Sequence, residues 1–161
     1  MREAIGGSLL MYLTVFIVGI IIVFFVGILS YAKAYKVKNR IVEIIEKYGN
    51  YEDSETDIAS YLNSSGYNIS GNNLCGDVGD LSRYGINEKV NLNTANNSSY
   101  SYCVYESTNT TDKDKKKNIN KTHYYVVVTF VHFEFPIIGD IINIPVYSET
   151  KMLGYNNKYD Y

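Results

Sequence analysis

Residues 9 to 31 read LLMYLTVFIVGIIIVFFVGILSY, a run without a charged side chain. Nothing else in the chain restricts the fold so strongly. A helix over these about 23 residues, rising ~1.5 Å per residue, crosses the ~30 Å hydrocarbon core of a bilayer with some tilt. A surface helix of a soluble protein keeps a polar stripe, whereas this run is apolar on every face. A cleaved secretory signal has a shorter apolar run followed by small residues at the cut. Ser30-Tyr31-Ala32-Lys33-Ala34 imitates such a site, but the run before it is too long. The sequence therefore predicts a single-pass membrane protein whose first partner is the lipid bilayer.

The helix is expected to continue beyond the membrane. Residues 32 to 48 contain neither proline nor glycine. Ala34, Val37, Ile41, Ile44, Ile45 and Tyr48 recur at helical spacing. Lys36, Lys38, Arg40, Glu43, Glu46 and Lys47 take the other side. Gly49-Asn50 supplies a C-terminal cap. One helix from about Ile5 to Tyr48 follows, apolar all round in its first half and amphipathic in its second. The second half needs a domain to cover its stripe.

Two signals oppose each other on where that domain lies. Lys33, Lys36, Lys38 and Arg40 follow the apolar run, and only Arg2 and the amino terminus precede it. The positive-inside rule alone would keep the domain in the cytoplasm. Cys75 and Cys103, in an Asn/Ser/Gly-rich domain, favour the outside, where structural disulfides persist. In an external domain a Cys75–Cys103 bridge is expected, closing a long loop; in a cytoplasmic one they would be two free thiols.

Beyond the helix, Ser54 is expected to cap a short second helix whose apolar face is Ile58, Tyr61 and Leu62, ending near Gly66. Residues 67–98 read as loop with one weak strand near Lys89–Leu92. Ser99–Ser107 reads as a strand. Residues 108–121, TNTTDKDKKKNINK, read as a solvated hairpin tip rather than a basic docking patch, since Asp112 and Asp114 dilute the charge. His123–Phe135 is the strongest strand. Its two faces, Tyr125/Val127/Val131/Phe133/Phe135 and Tyr124/Val126/Val128/Phe130, are both apolar, so it is expected at the centre of a sheet. Ile141–Met152 is its partner, and Pro145, lacking a donor, belongs on an edge or at a bulge. The fold class expected is α+β, with the long helix packed on a small antiparallel sheet of three or four strands. The apolar ending FVHFEFPIIGDIINIPVYSETKML then covers the helix stripe, with residues 136–140 close to the bilayer or to a neighbouring subunit.

Few signs of chemistry are present. A net charge of −2 and a pI near 5.7 argue against nucleic acid as a partner. His123 and His132 lie an odd number of residues apart, which on a regular strand puts them on opposite faces and excludes a metal pair. Asp77, Asp80 and Glu88 loosely follow a calcium loop, but their spacing fails its pattern. No nucleophile elbow, zinc-protease motif or phosphate loop occurs. No catalytic residue, metal site or cofactor is expected, and the protein is not expected to be an enzyme.

A long helix, apolar then amphipathic, topped by a small antiparallel sheet, resembles the pilin architecture. More narrowly, the chain resembles the TadE/TadF-like minor pilins of tight-adherence pili. The resemblance rests on Gly7-Ser8 just before the apolar run, on its continuation into Ala32-Lys33-Ala34-Tyr35, and on the C-terminal segment VVVTFVHFEFPIIGDIINIPVYSETKML. In that segment a strand breaks at Pro136, turns through Gly139, re-enters through Pro145 and ends in a Ser/Thr-rich stretch and a methionine. About half the chain is covered.

The resemblance implies a leader-like segment (1–8), a transmembrane helix (9–31), its amphipathic continuation (32–48) and an extracytoplasmic domain (49–161). It also implies other pilus-assembly membrane proteins as partners, packed against the helix where Gly19 and Gly27 permit close approach. Gly6 or Gly7 is the candidate processing site. In the wider pilin family a glutamate stands five residues into the processed chain. Here cleavage after Gly6 or Gly7 puts Met11 or Tyr12 at that position, and Glu3 precedes both sites. A minor or membrane-resident component fits this departure better than an abundant filament subunit. The alternative is a tethered binding domain that never polymerises.

Overall fold

Arg2–Tyr48 form one unbroken helix of 47 residues, α1. The computed structural model describes residues 2–67, 74–76, 78–86, 90–93, 102–108, 122–134 and 141–154. The expected start at Ile5 is thus three residues late, and the described part of segment 1–8 belongs to the helix. Gly49 ends it in the left-handed conformation (φ 79°), its N–H donating to the Ile45 carbonyl at 2.8 Å.

After a 3₁₀ turn (Glu52–Ser54), α2 spans Glu55–Ser65 and stops at Gly66, φ 60°. Ser54 precedes α2 but does not cap it through its side chain. The Ser54 hydroxyl instead donates back to the Tyr51 carbonyl at 2.6 Å. Two further 3₁₀ turns follow, Leu74–Gly76 and Ser82–Tyr84. The sheet comprises β1 (Tyr102–Thr108), β2 (Thr122–Glu134), β3 (Ile141–Glu149) and β4 (Leu153–Gly154).

β2 is central. It pairs antiparallel with β1 on one side, and on the other with β3 and, further up, β4. Of the weak strand expected near Lys89–Leu92, the described residues show a single bridge, Asn91 to Tyr105, and Lys89 lies outside them. The partner expected to run from Ile141 to Met152 breaks after Glu149 and resumes as β4. Pro145 lies on the edge strand β3, opposite Phe130. Tyr125 exchanges hydrogen bonds with Thr150 on the β3 side, at 2.9 Å each. By alternation, Phe130 turns its main-chain groups the other way, so the N–H that Pro145 lacks is not missed by the ladder.

The apolar character of both faces of β2 follows from three layers. On one face Thr129 donates its hydroxyl to the Ala34 carbonyl of α1 (3.2 Å), and Ala34, Val37, Ile41, Ile44 and Ile45 pack there, all buried. On the other face lies the segment around residues 74–86. Val78, Leu81 and Ile86 are buried, Tyr105 donates to the Cys75 carbonyl, and Tyr124 donates to the Tyr84 carbonyl. Gly85 makes that close approach feasible: a Cβ there would stand 2.8 Å from the Tyr124 hydroxyl, and its φ is 68°.

Two assignments on the α1 stripe are corrected. Tyr48 is exposed and donates to Asp57 on α2 (2.6 Å), because the helix ends where the sheet no longer reaches. Lys38, expected on the polar side, is buried at 6% exposure. Its stem lies along apolar surface while its ammonium sits 4.1 Å from the centre of the Tyr35 ring and faces the Tyr147 carbonyl at 3.5 Å.

Candidate membrane anchor and its collar

From Leu9 to Leu29 every large apolar side chain of α1 is exposed. The helix is long and apolar enough to cross a membrane, with a mean hydropathy of 3.0 over its most apolar stretch, none of it covered by the rest of the protein. Its one aliphatic hydroxyl between Ser8 and Ser30 is satisfied internally: Thr14 donates to the Leu10 carbonyl at 2.8 Å. Gly6 and Gly7, the candidate processing positions, both lie within α1. A Cβ at Gly7 or Gly19 would meet nothing within 4 Å, so both backbones are open to approach. Gly27, partly exposed, lies further along the same stretch.

At the upper rim of the run a collar of aromatic and basic side chains appears. Tyr31 and Tyr35 stack with ring centres 6.2 Å apart, and both stay about half exposed. Lys33 donates to the Gly66 carbonyl at 2.7 Å, capping the end of α2. Arg40 pairs with Glu43 at 2.6 Å on the surface. That pair raises the Arg40 pKa, through the Glu43 hydrogen bond first. Tyrosine and lysine at such a boundary suit a membrane interface, where an apolar body and a polar tip meet different surroundings. The collar was missed in the sequence, although Tyr31, Tyr35 and Lys38 stand at helical spacing.

The sheet edge on the β1 side is closed by polar groups from the loops. Leu92 N–H donates to the Val104 carbonyl (2.8 Å), Asn91 accepts from the Val104 N–H (3.0 Å), and Asn93 donates to the Tyr102 carbonyl (2.9 Å). Below Tyr102, the Tyr67 hydroxyl takes over. It donates to the Phe130 carbonyl and accepts from the Phe130 N–H, both at 3.1 Å. Burial pushes the Tyr67 hydroxyl up to about 12. The Tyr102 hydroxyl is likewise pushed up by burial to about 12, and the Tyr51 hydroxyl, 3.1 Å from it, is raised by burial and then by that neighbour. These three serve as neutral hydrogen-bonding struts, and Tyr105, also buried and pushed up to about 12, is another.

Cys75 and Cys103 are joined in a disulfide, with Cα atoms 5.8 Å apart. The bridge fastens the loop layer to β1. In the chain-entropy description, closing a loop of this length stabilises by about 3–4 kcal/mol. Of the loosely calcium-like acids, Asp80 accepts from the Ser82 N–H (2.9 Å) and the Ser82 hydroxyl (2.8 Å), organising a turn. Asp77 and Glu88 lie outside the described residues, as do residues 109–121, Pro136 and Gly139. His123 is buried, its ring set edge-on to Tyr125 with centres 5.2 Å apart. Among the described residues no group of three His, Cys, Asp or Glu side chains could hold a metal ion.

No protein-family model, curated protein or solved structure matches this chain.

Proposed function

We propose that this protein is a non-enzymatic, membrane-anchored component of a pilus or related secretion machine, of the kind that the TadE/TadF-like minor pilins represent. The observation that carries the proposal is the continuity of α1. A bare apolar half passes without a break into a half whose stripe is covered by a small antiparallel sheet. The bare half would hold the protein in the bilayer and pack against other subunits, with Gly19 and Gly27 allowing close backbone approach.

In this reading the domain lies outside the cytoplasm. The disulfide supports that side. The basic cluster argues less strongly for the inside than its charge count implies, because three of its members have structural tasks. Lys33 caps α2, Lys38 is buried beneath Tyr35, and Arg40 is paired with Glu43.

A second reading, a tethered binding domain that never polymerises, is favoured by Met11 and Tyr12 where assembling pilins carry a carboxylate. Both side chains are exposed and uncharged.

Thiol labelling of intact cells with an impermeant maleimide, before and after an impermeant reductant, tests the side. Labelling of Cys75 and Cys103 only after reduction is the expected result. Labelling that needs lysis but no reductant would place the domain in the cytoplasm and end the pilin-like reading. Mass measurement of the mature N-terminus, together with co-purification with filaments, then separates the two readings.

A further inference from the structure

The β2–β3 pair runs down beside α1 towards the apolar half of the helix. Two contacts fix the direction. At the top, Lys151 N–H donates to Glu46 (2.8 Å), next to Thr150, which pairs with Tyr125. Lower down, Thr129 donates to the Ala34 carbonyl (3.2 Å). From Glu46 to Ala34 the helix descends ~18 Å. From Tyr125 to Thr129 the strand advances ~13 Å. The strand therefore runs in the opposite sense to the helix.

The strand pair does not stop at Thr129. Its ladder continues from Phe130 opposite Pro145 to Glu134 opposite Ile141. Those five residues add ~17 Å of strand. On the helix, only ~5 Å separates Ala34 from Tyr31, where the apolar run ends. The end of the pair thus lies ~12 Å beyond the top of that run if the axes are aligned, and still ~7 Å beyond it at an inclination of 45°.

Among the described residues this stretch has no third strand. The described part of β1 ends at Tyr102, opposite Thr129, and Tyr67 closes the β2 edge at Phe130. Among the described residues the pair extends from there as two strands, and a two-stranded ribbon is marginal in water without something to cover it. The residues carried by β3 at this end are Ile141, Ile142, Asn143 and Ile144, and the Ile144 side chain is 47% exposed. The helix side chains at the same depth, such as Phe24, Phe25 and Ile28, are exposed as well, so α1 does not serve as the cover.

We propose that the lower end of the β2–β3 pair is seated in the interfacial layer of the same bilayer that α1 crosses, as a second and shallow membrane contact. The inference rests on α1 being a membrane span, and not on which side the domain faces. The occupant is lipid because the ladder descends past the level at which the helix itself enters it. The depth is limited. An open strand edge has main-chain groups that hydrocarbon cannot satisfy, and Glu134 and Asn143 are polar. The pair therefore stops among headgroups and the first carbons of the acyl chains.

The chain contains no tryptophan, so single substitutions give an unobstructed fluorescence signal. The full, disulfide-intact chain would be reconstituted into phosphatidylcholine–phosphatidylglycerol vesicles as four variants: Phe16→Trp, Ile144→Trp, Ile142→Trp and Val90→Trp. Each is first required to keep the parent urea midpoint. Emission is then compared with and without lipids brominated close to the headgroup, or near the acyl-chain ends for Phe16→Trp. Phe16→Trp should be quenched by deep bromines. Ile144→Trp and Ile142→Trp should be blue-shifted and quenched by shallow ones, Ile142→Trp the more. Val90→Trp, on an exposed residue of the loop layer, should be unaffected. If Phe16→Trp is quenched but the two β3 variants behave like Val90→Trp, the interfacial contact is refuted and the anchor stands. Blue-shifted but unquenched β3 emission would mean that protein covers the strands, and refutes it too. An unquenched Phe16→Trp would remove the anchor, and this contact with it.

Discussion

The two halves of α1 share one run of backbone hydrogen bonds and have opposite surroundings. Ile41 and Ile45 are fully buried, while Ile21 and Ile22, one helix-length below, are more than half exposed. Residue type does not distinguish them, since both halves are rich in isoleucine. What differs is periodicity. The upper half interrupts its isoleucines with charge on one side and so specifies a single covering sheet. The lower half has no interruption and specifies no partner in its own chain. A helix formed by local bonds thus leaves open what surrounds it, and the sequence pattern answers that question separately for each half.

The comparison is broken most severely by moving a charge between the halves. Ile41→Asp would bury a carboxylate without a partner and cost the domain about 4 kcal/mol or more, read from urea denaturation in micelles. Ile21→Asp should leave that curve unmoved and instead weaken bilayer partition by ~3 kcal/mol, read by flotation or vesicle binding. Equal damage to the domain from both would show that the halves are not independent.

Next in size is the disulfide. Cys75→Ser with Cys103→Ser should lower domain stability by about 3–4 kcal/mol. Helical content from the lower half, followed by circular dichroism, should persist through the domain transition.

Tyr67→Phe removes both hydrogen bonds to Phe130 and should cost ~1–3 kcal/mol. Hydrogen exchange at the Phe130 amide should accelerate more than at Val104, whose cap comes from Asn91. Equal exchange at both sites would mean that the Tyr67 hydroxyl is dispensable.

Counted per group, alkali gives the smallest effect. Tyr67 and Tyr102 are held at about 12 in the folded protein against 10.0 for an open tyrosine. The folded state therefore keeps protons that the unfolded state releases. The stability they supply is complete below pH 10, and falls as pH rises from 10 through about 12. At pH 11 the loss should be about 1.4 kcal/mol for each of the two hydroxyls, confined to the domain transition. A flat stability profile over that range would remove these hydroxyls as struts.

Much of the architecture was legible because it depends on long patterns. The apolar run, the stripe from Ala34 to Ile45, the doubly apolar β2 and the edge position of Pro145 each follow from period or from a missing donor. The details that escaped depend on side chains reaching across the fold. Ser54 carries the right residue type for a cap, but its hydroxyl found the Tyr51 carbonyl first. Lys38 carries a charge, but its stem could be covered while its ammonium met Tyr35 and Tyr147. Tyr67 stands in a polar stretch, and no local pattern announces that its hydroxyl will close the edge of a strand far along the chain. The apolar span was visible as a run of letters. Its collar requires the third dimension, since Lys33 reaches Gly66 only once α2 has folded back.

Between Gly27 and Gly49 the helix has neither glycine nor proline, and it is packed against the sheet over much of that length. Mechanically, α1 is a stiff rod with no joint where it leaves the apolar run. A tilt of the lower half by ~10°, well inside the range that membrane helices adopt, swings Tyr48 sideways by ~5 Å. A pull on the folded domain is likewise delivered to the apolar half of the rod as a torque, without slack.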